Sequence, residues 1–261
     1  MVVLTSNESG EKLASLLDCN YTYGNSDSLL KSEDIIIRFG NSTKKINTMH
    51  IEINNAFAIE VAKNRKLFYY YMKKNRVRTP YCLNADSFPI YAYKNYSEGG
   101  NGIILLMSRH DLKIIKERKV KVSIFSRYIP IAREFRVHIS KLSNKEFNYL
   151  TYEKIPRDIK HDTFIIRNSA INRYEFKKIN NIPEINEMAK KALLACGLDF
   201  AGIDIAIDDD NIIWVLDVNT APGIVKSDTQ NFYKESLRTY IDFIIKNDYI
   251  FNEMYFNQKE V

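Results

Sequence analysis

Residues 198–224, LDFAGIDIAIDDDNIIWVLDVNTAPGI, hold the stretch on which the reading of this chain turns. Two apolar runs flank Asp208-Asp209-Asp210-Asn211, a cluster of turn formers, so the stretch reads as a β-hairpin. Alternation along the strands predicts its register. With Ile203, Ile205 and Ile207 on one face together with Ile212, Trp214, Leu216 and Val218, every large side chain enters one core. A one-residue slip breaks that arrangement. The opposite face then carries Gly202, Asp204 and Ala206 beside Val215, Asp217 and Asn219. Two carboxylates and an amide oxygen projecting from one side are costly without a cation. Hard oxygen donors at this density suit Mg²⁺ or Mn²⁺, with phosphate oxygens completing the shell. A solvated polar face is the plain alternative. The small Gly202 and Ala206 speak against it, because they leave room for something to lie on that surface.

Working outward, the segment before the hairpin is a helix. Ile185, Met188, Ala189, Ala192, Leu193 and Cys196 fall at i, i+3, i+4, i+7, i+8 and i+11, a single apolar stripe. Pro183 stands near its start and Gly197 just past its end, where each is favoured. Residues 133–140 alternate, with Phe135, Val137 and Ile139 facing one way and Glu134, Arg136 and His138 the other. That predicts a strand with one apolar and one charged face. Glu134 and Arg136 are spaced to pair with each other, and His138 reads as a hydrogen-bonded structural residue rather than a catalyst.

Strand patterns over 1–5, 34–39, 88–94, 103–107 and 120–128 alternate with helical ones over 10–17, 54–63, 64–75 and 109–117. An α/β or α+β chain follows. The expected division is a small α/β domain over 1–80, a second lobe over 81–130 bearing the glycine turn 97–102, and a third over 131–261. The aromatic stretch 232–256 reads as a helix that either caps the last lobe or makes a dimer contact.

Composition bounds the function classes. The 261 residues are 45% hydrophobic and 27% charged, which excludes disorder and fibrous repeats. No apolar run approaches the roughly 20 residues of a membrane helix, and MVVLTSNESG lacks a signal-peptide layout. Cys19, Cys82 and Cys196 form no CxxC pair, so neither a disulfide framework nor a zinc site is expected, and a reduced, cytoplasmic compartment is. The net charge of +6 is spread widely, densest at Lys113, Lys116, Arg118, Lys119 and Lys121. It reads as a solvated surface, and an anionic small ligand such as a nucleotide fits the same charge.

The hairpin pattern G-x-D-x…W-V-L-D-V-N-x-x-P-G resembles the metal-binding end of the ATP-grasp superfamily, most closely the group of the ribosomal-protein glutamate ligase and the shorter phage- and bacillus-type proteins. Upstream, Arg127-Tyr128-Ile129 with Glu134-Phe135-Arg136-Val137-His138 is similar to the family's hinge and following strand. Pro89 to Lys94 with the glycine turn resembles its phosphate-facing lysine strand and loop, and Asn64-Arg65-Lys66 its earlier lysine, fourteen residues before Pro80. Ile36 to Gly40 resembles the end of the preceding small domain, so the likeness runs from about residue 35 to 225. It departs at Asp217, where the family usually has glutamate.

The resemblance implies two α+β lobes gripping ATP behind a small α/β domain. Lys66 and Lys94 would neutralise phosphates, and Gly99, Gly100 and Gly102 would bring backbone N–H groups close to them. Backbone atoms of Arg127, Tyr128 and Ile129 would read the adenine edge, and Glu134 the ribose. Arg136, Arg167 and Asn168 would act at the transferred phosphoryl and acyl centre, while Asp204, Asp217 and Asn219 would hold Mg²⁺ or Mn²⁺. The implied reaction joins a carboxylate to an amine, from small molecules or peptides, through an acylphosphate, releasing ADP and phosphate. Two other classes stay open: an ATP-grasp-type kinase on a small hydroxyl substrate, and a non-catalytic module binding nucleotide or nucleic acid. A membrane partner is not expected, and a homo-oligomer stays open.

Overall fold

The computed structural model describes residues 1–23, 35–42, 51–82, 84–85, 87–93, 103–122, 124–156 and 174–257. Its chain begins with β1 (Val2–Thr5), α1 (Glu8–Leu17), β2 (Asn20–Tyr23), β3 (Ile36–Phe39) and β4 (Glu52–Ile53). These strands form a parallel sheet in the order β2-β1-β3-β4. α1 starts where the Asn7 side chain accepts from the Gly10 N–H and stops at Asp18 in the left-handed conformation, a cap at each end supplying orphan backbone groups with partners.

Next come α2 (Ala56–Lys63) and α3 (Arg65–Lys74), divided by Asn64. The Asn64 backbone N–H closes α2, and its side chain accepts from the N–H groups of Lys66 and Leu67 to open α3. One asparagine thus ends one helix and caps the other. A second sheet follows, with β5 (Tyr81–Cys82), β6 (Ile90–Tyr93), β7 (Ile103–Leu106), α4 (Arg109–Glu117) and β8 (Ile124–Arg127). Its order is β5-β8-β6-β7, all antiparallel. α4 opens on a reciprocal cap between Ser108 and Asp111.

The last part comprises β9 (Ile131–Lys141), β10 (Phe147–Pro156), β11 (Tyr174–Ile179), α5 (Pro183–Cys196), β12 (Phe200–Asp208), β13 (Ile213–Asn219) and α6 (Ser227–Asn257). Five antiparallel strands run β11-β10-β9-β12-β13. The apolar face predicted for β9 is present: Phe135, Val137 and Ile139 join Ile203, Ile205, Val215 and Val218 in a core closed by α2, α3 and α5. At one end the other face is covered as well. His138, Leu150, Tyr152 and Phe200 lie under Phe232 and Tyr233 of α6, in a cluster shared with Val3, Leu13 and Ile37. α6 therefore caps its own chain. The remainder of that face carries the charged residues described below.

The hairpin departs from the predicted register halfway along. Gly202 pairs with Asn219, Ile203 with Val218 and Asp204 with Asp217, but beyond an irregularity after Asp204 the partners are Ile205–Val215, Ala206–Trp214 and Ile207–Ile213. A bulge at Leu216 shifts the rest of the strand by one residue. Val215, fully buried, enters the core in place of Trp214. Trp214 instead turns to the far face, where its indole N–H donates to Asp208 at 2.8 Å and the Arg78 guanidinium lies 5.8 Å above its ring. An indole N–H needs a partner, and the Asp208 carboxylate supplies one on that side.

Candidate active site

Asp204 and Asp217 are direct cross-strand partners, so their carboxylates project from one face. Cross-strand like charges repel; three cations offset this. Arg136, opposite Asp204 on β9, grips it from both nitrogens, with Nη2 donating to Oδ2 at 2.8 Å and Nε donating to Oδ1 at closer range. Lys154 on β10 lies 3.2 Å from the same carboxylate and also donates to Glu134. Arg65, the first residue of α3, reaches Asp217 at 3.0 Å. Burial would raise the Asp204 pKa, but Arg136 and Lys154 hold its carboxyl well below the usual range. Arg65 and Arg136 stay charged despite burial because Asp217 and Asp204 face them.

These contacts bring separate parts of the chain together. The Arg65 guanidinium also lies 5.4 Å from the ring centre of Tyr93, the last residue of β6, so one cation touches α3, the second sheet and the hairpin. After β13 the chain turns back: Asn219 Oδ1 accepts from the Ala221 N–H at 2.9 Å. Ala221 then meets the carboxyl end of the parallel sheet. A Cβ added at Gly40 (φ +73) would lie 2.6 Å from Ser6 Oγ and 2.8 Å from the Ala221 Cβ. Glycine answers both the left-handed backbone and the close approach.

The residues expected from the sequence fall into distinct places. Asp204, Asp217 and Asn219 share a face as predicted, and Arg136 stands on it. Glu134 does not pair with Arg136; it is buried against Lys154 on the next strand, because a side chain reaches across a sheet more easily than two residues along it. The room expected over Gly202 is taken: a Cβ there would meet Pro222 at 3.0 Å and Arg136 Cδ at 3.2 Å. Lys66 is exposed, whereas its neighbour Arg65 is buried at the carboxylates. Arg127 N–H donates to the Pro80 carbonyl and Tyr128 N–H to that of Pro89, while Ile129 is buried. His138 is structural as expected, its Nδ1 3.0 Å from the Tyr233 hydroxyl. Lys94, Gly99, Gly100, Gly102, Arg167 and Asn168 lie outside the described residues.

Two cations of this cluster escaped the sequence reading. Arg65 was legible in principle: it follows Asn64, the capping residue, and one helical position separates its direction from that of Lys66 by about 100°. Lys154 was not, since only its pairing with β9 shows which way it points.

Solved structures share this architecture along nearly the whole chain. Carboxyaminoimidazole ribonucleotide synthase from Aspergillus clavatus, complexed with ATP, matches with a TM-score of 0.65 at 12% identity, over 92% of this chain and 76% of that one. D-alanine–D-alanine ligase from Bacillus anthracis, also complexed with ATP, gives 0.66 at 15% identity, over 94% and 96%. N5-carboxyaminoimidazole ribonucleotide synthetase from Thermotoga maritima gives 0.64 at 12%, over 92% and 75%. No protein-family model and no curated protein matches the sequence. The fold class is thereby settled: mixed α and β lobes in the ATP-grasp arrangement. Among the described residues no helix is long and apolar enough to cross a membrane.

Proposed function

We propose that the chain is an ADP-forming ATP-grasp ligase, joining a carboxylate to an amine through an acylphosphate. The observation that carries this reading is the cluster on the charged half of one face of the five-stranded sheet. There Asp204 and Asp217 stand side by side, each neutralised by an arginine and facing β6 through Arg65 and Tyr93. Phosphoryl transfer asks for charge neutralisation and positioning rather than a covalent nucleophile, and this cluster is built of fixed charges. ATP-bound ligases of the same fold support it. Within that fold, the order of sequence motifs favours the ribosomal-protein glutamate ligase-like and phage- or bacillus-type proteins.

In this reading the division at residues 80 and 130 separates a small leading domain from two lobes, and ATP lies between β6 and the hairpin. Lys94, one residue beyond Tyr93, and the turn with Gly99, Gly100 and Gly102 belong to the phosphate side, together with Lys66. Backbone atoms from Arg127 to Ile129 serve the adenine, and Glu134 the ribose. Arg136, Arg167 and Asn168 serve the reacting centre. Mg²⁺ fits the donor set: both carboxylates are hard oxygen ligands, and the Asp217 side chain keeps 39% of its exposure, enough to admit a cation from the cleft. Asp204, Asp217 and Asn219 would hold it, and it would bridge and neutralise phosphate oxygens there. Arg136 is positioned to exchange its partner, from Asp204 to a developing phosphoryl charge.

Incubation with ATP, a panel of carboxylates and hydroxylamine tests the reaction. Formation of a hydroxamate together with ADP and phosphate is the expected result. A phosphorylated product formed without inorganic phosphate would replace the ligase with a kinase.

A further inference from the structure

Away from this cluster, residues 55–78 contain seven lysines and arginines but a single acidic residue, Glu60, a local excess equal to the net +6 of the entire chain. The rest of the chain sums to zero net charge, the basic run 113–121 being offset by acidic residues elsewhere. One of the seven, Arg65, is committed to Asp217. Lys66, Lys73 and Lys74 are exposed, and with Tyr70 they stand at i, i+7, i+8 and i+4, one face of α3. Among the described residues no carboxylate pairs with any of these three lysines. Two exposed lysines on other helices are paired, Lys113 with Glu117 at 3.8 Å and Lys191 with Glu187 at 3.7 Å.

Aromatic rings accompany this charge. Tyr70 is 59% exposed and Phe57, at the start of α2, is 60% exposed. Both stand edge-on to the ring of Tyr71, at 5.2 and 6.1 Å between centroids, and Lys74 lies 5.9 Å from that ring's centre. Surface lysines alone would fit any polyanion. Uncovered rings held between them add a demand that an acidic polypeptide leaves unmet, because carboxylates have no flat apolar face to stack. A duplex leaves it unmet too, since its bases already stack on each other. Single strands supply both phosphates and free base faces.

We infer that the outer face of α3 toward its carboxyl end, with Phe57, is a docking surface for single-stranded nucleic acid, whose phosphates meet Lys73 and Lys74 and whose bases stack on Tyr70 and Phe57. The surface is separate from the carboxylate cluster and does not depend on the ligase reading.

Fluorescence anisotropy of a labelled twelve-residue oligothymidine with the full chain tests it. Two phosphate contacts predict that log K falls against log salt with a slope of about −1.4. Lys73→Glu with Lys74→Glu, and separately Phe57→Ala with Tyr70→Ala, should each weaken binding about tenfold at low salt, with thermal melting unchanged. Excess ATP should leave the oligonucleotide in place. Absence of binding overturns the inference, as does binding indifferent to the aromatic pair, or decaglutamate binding equally well, which would make the partner an acidic polypeptide. Displacement by ATP would overturn it too, by placing the oligonucleotide in the nucleotide cleft.

Discussion

Asp204 holds a negative charge in a nearly buried setting because Arg136 on the adjacent β9 and Lys154 on β10, one strand beyond, face it. Removing the carboxylate leaves the buried Arg136 without its two-point partner, while Lys154 keeps Glu134, a cost of about 3–5 kcal/mol. Asp204→Ala should therefore lower stability in urea by that amount as well as abolish turnover; a variant as stable as the wild type would remove the ion network from the account. The face that Asp204 occupies was legible from alternation alone. Its partners were not, since pairing between β9, β10 and β12 depends on contacts far apart in sequence. His138 gives a second test. Burial, and after it the nearby Arg136 guanidinium, push its pKa down to about 3. The unfolded chain takes up this proton below about pH 6.5 and the folded chain does not, so stability is present in full above that value and falls as the pH drops toward 3. Urea midpoints from pH 7 to 5 should decline for the wild type and decline less for His138→Phe. Parallel slopes would contradict the buried neutral imidazole.

At the scale of elements, the hairpin separates what strict alternation can and cannot predict. Its turn, its faces near Asp204 and its inward isoleucines follow from period two. The bulge at Leu216 does not, because apolar residues run without a break from Ile212 to Leu216 and fit either register. Energetics distinguish the two. Ile205→Ala, at a fully buried site, should cost about 2–5 kcal/mol, and Trp214→Ala, only partly buried beside Arg78, should cost less. The reverse order in urea denaturation would restore the unbulged strand. β10 and β11 went unread for a related reason: Asn148, Thr151, Glu153 and Lys154 interrupt the apolar pattern of one, and Glu175, Lys177 and Lys178 that of the other. α6 was legible as a helix, while its place was open. Leu237 is now fully buried within its own chain. Leu237→Ala should cost about 2–5 kcal/mol at every protein concentration; a loss that appears only on dilution would return the helix to a dimer contact.

On the scale of the molecule, three sheets meet around one polar surface. The five-stranded sheet is covered by helices on one side and, at one end of the other, by α6 and the parallel sheet. Coverage by apolar groups stops where Glu134, Arg136, Lys154, Asp204 and Asp217 begin, and the second sheet approaches there through Tyr93 and Arg65. A charged surface walled by packed layers is where a polyphosphate gains most from fixed charges, since little water competes. The most direct measurement of that claim is calorimetric binding of a non-hydrolysable ATP analogue, with and without Mg²⁺, to the wild type and to Asp217→Ala. Binding that requires Mg²⁺ and is lost in Asp217→Ala is the predicted result. No binding to the wild type under either condition would contradict it.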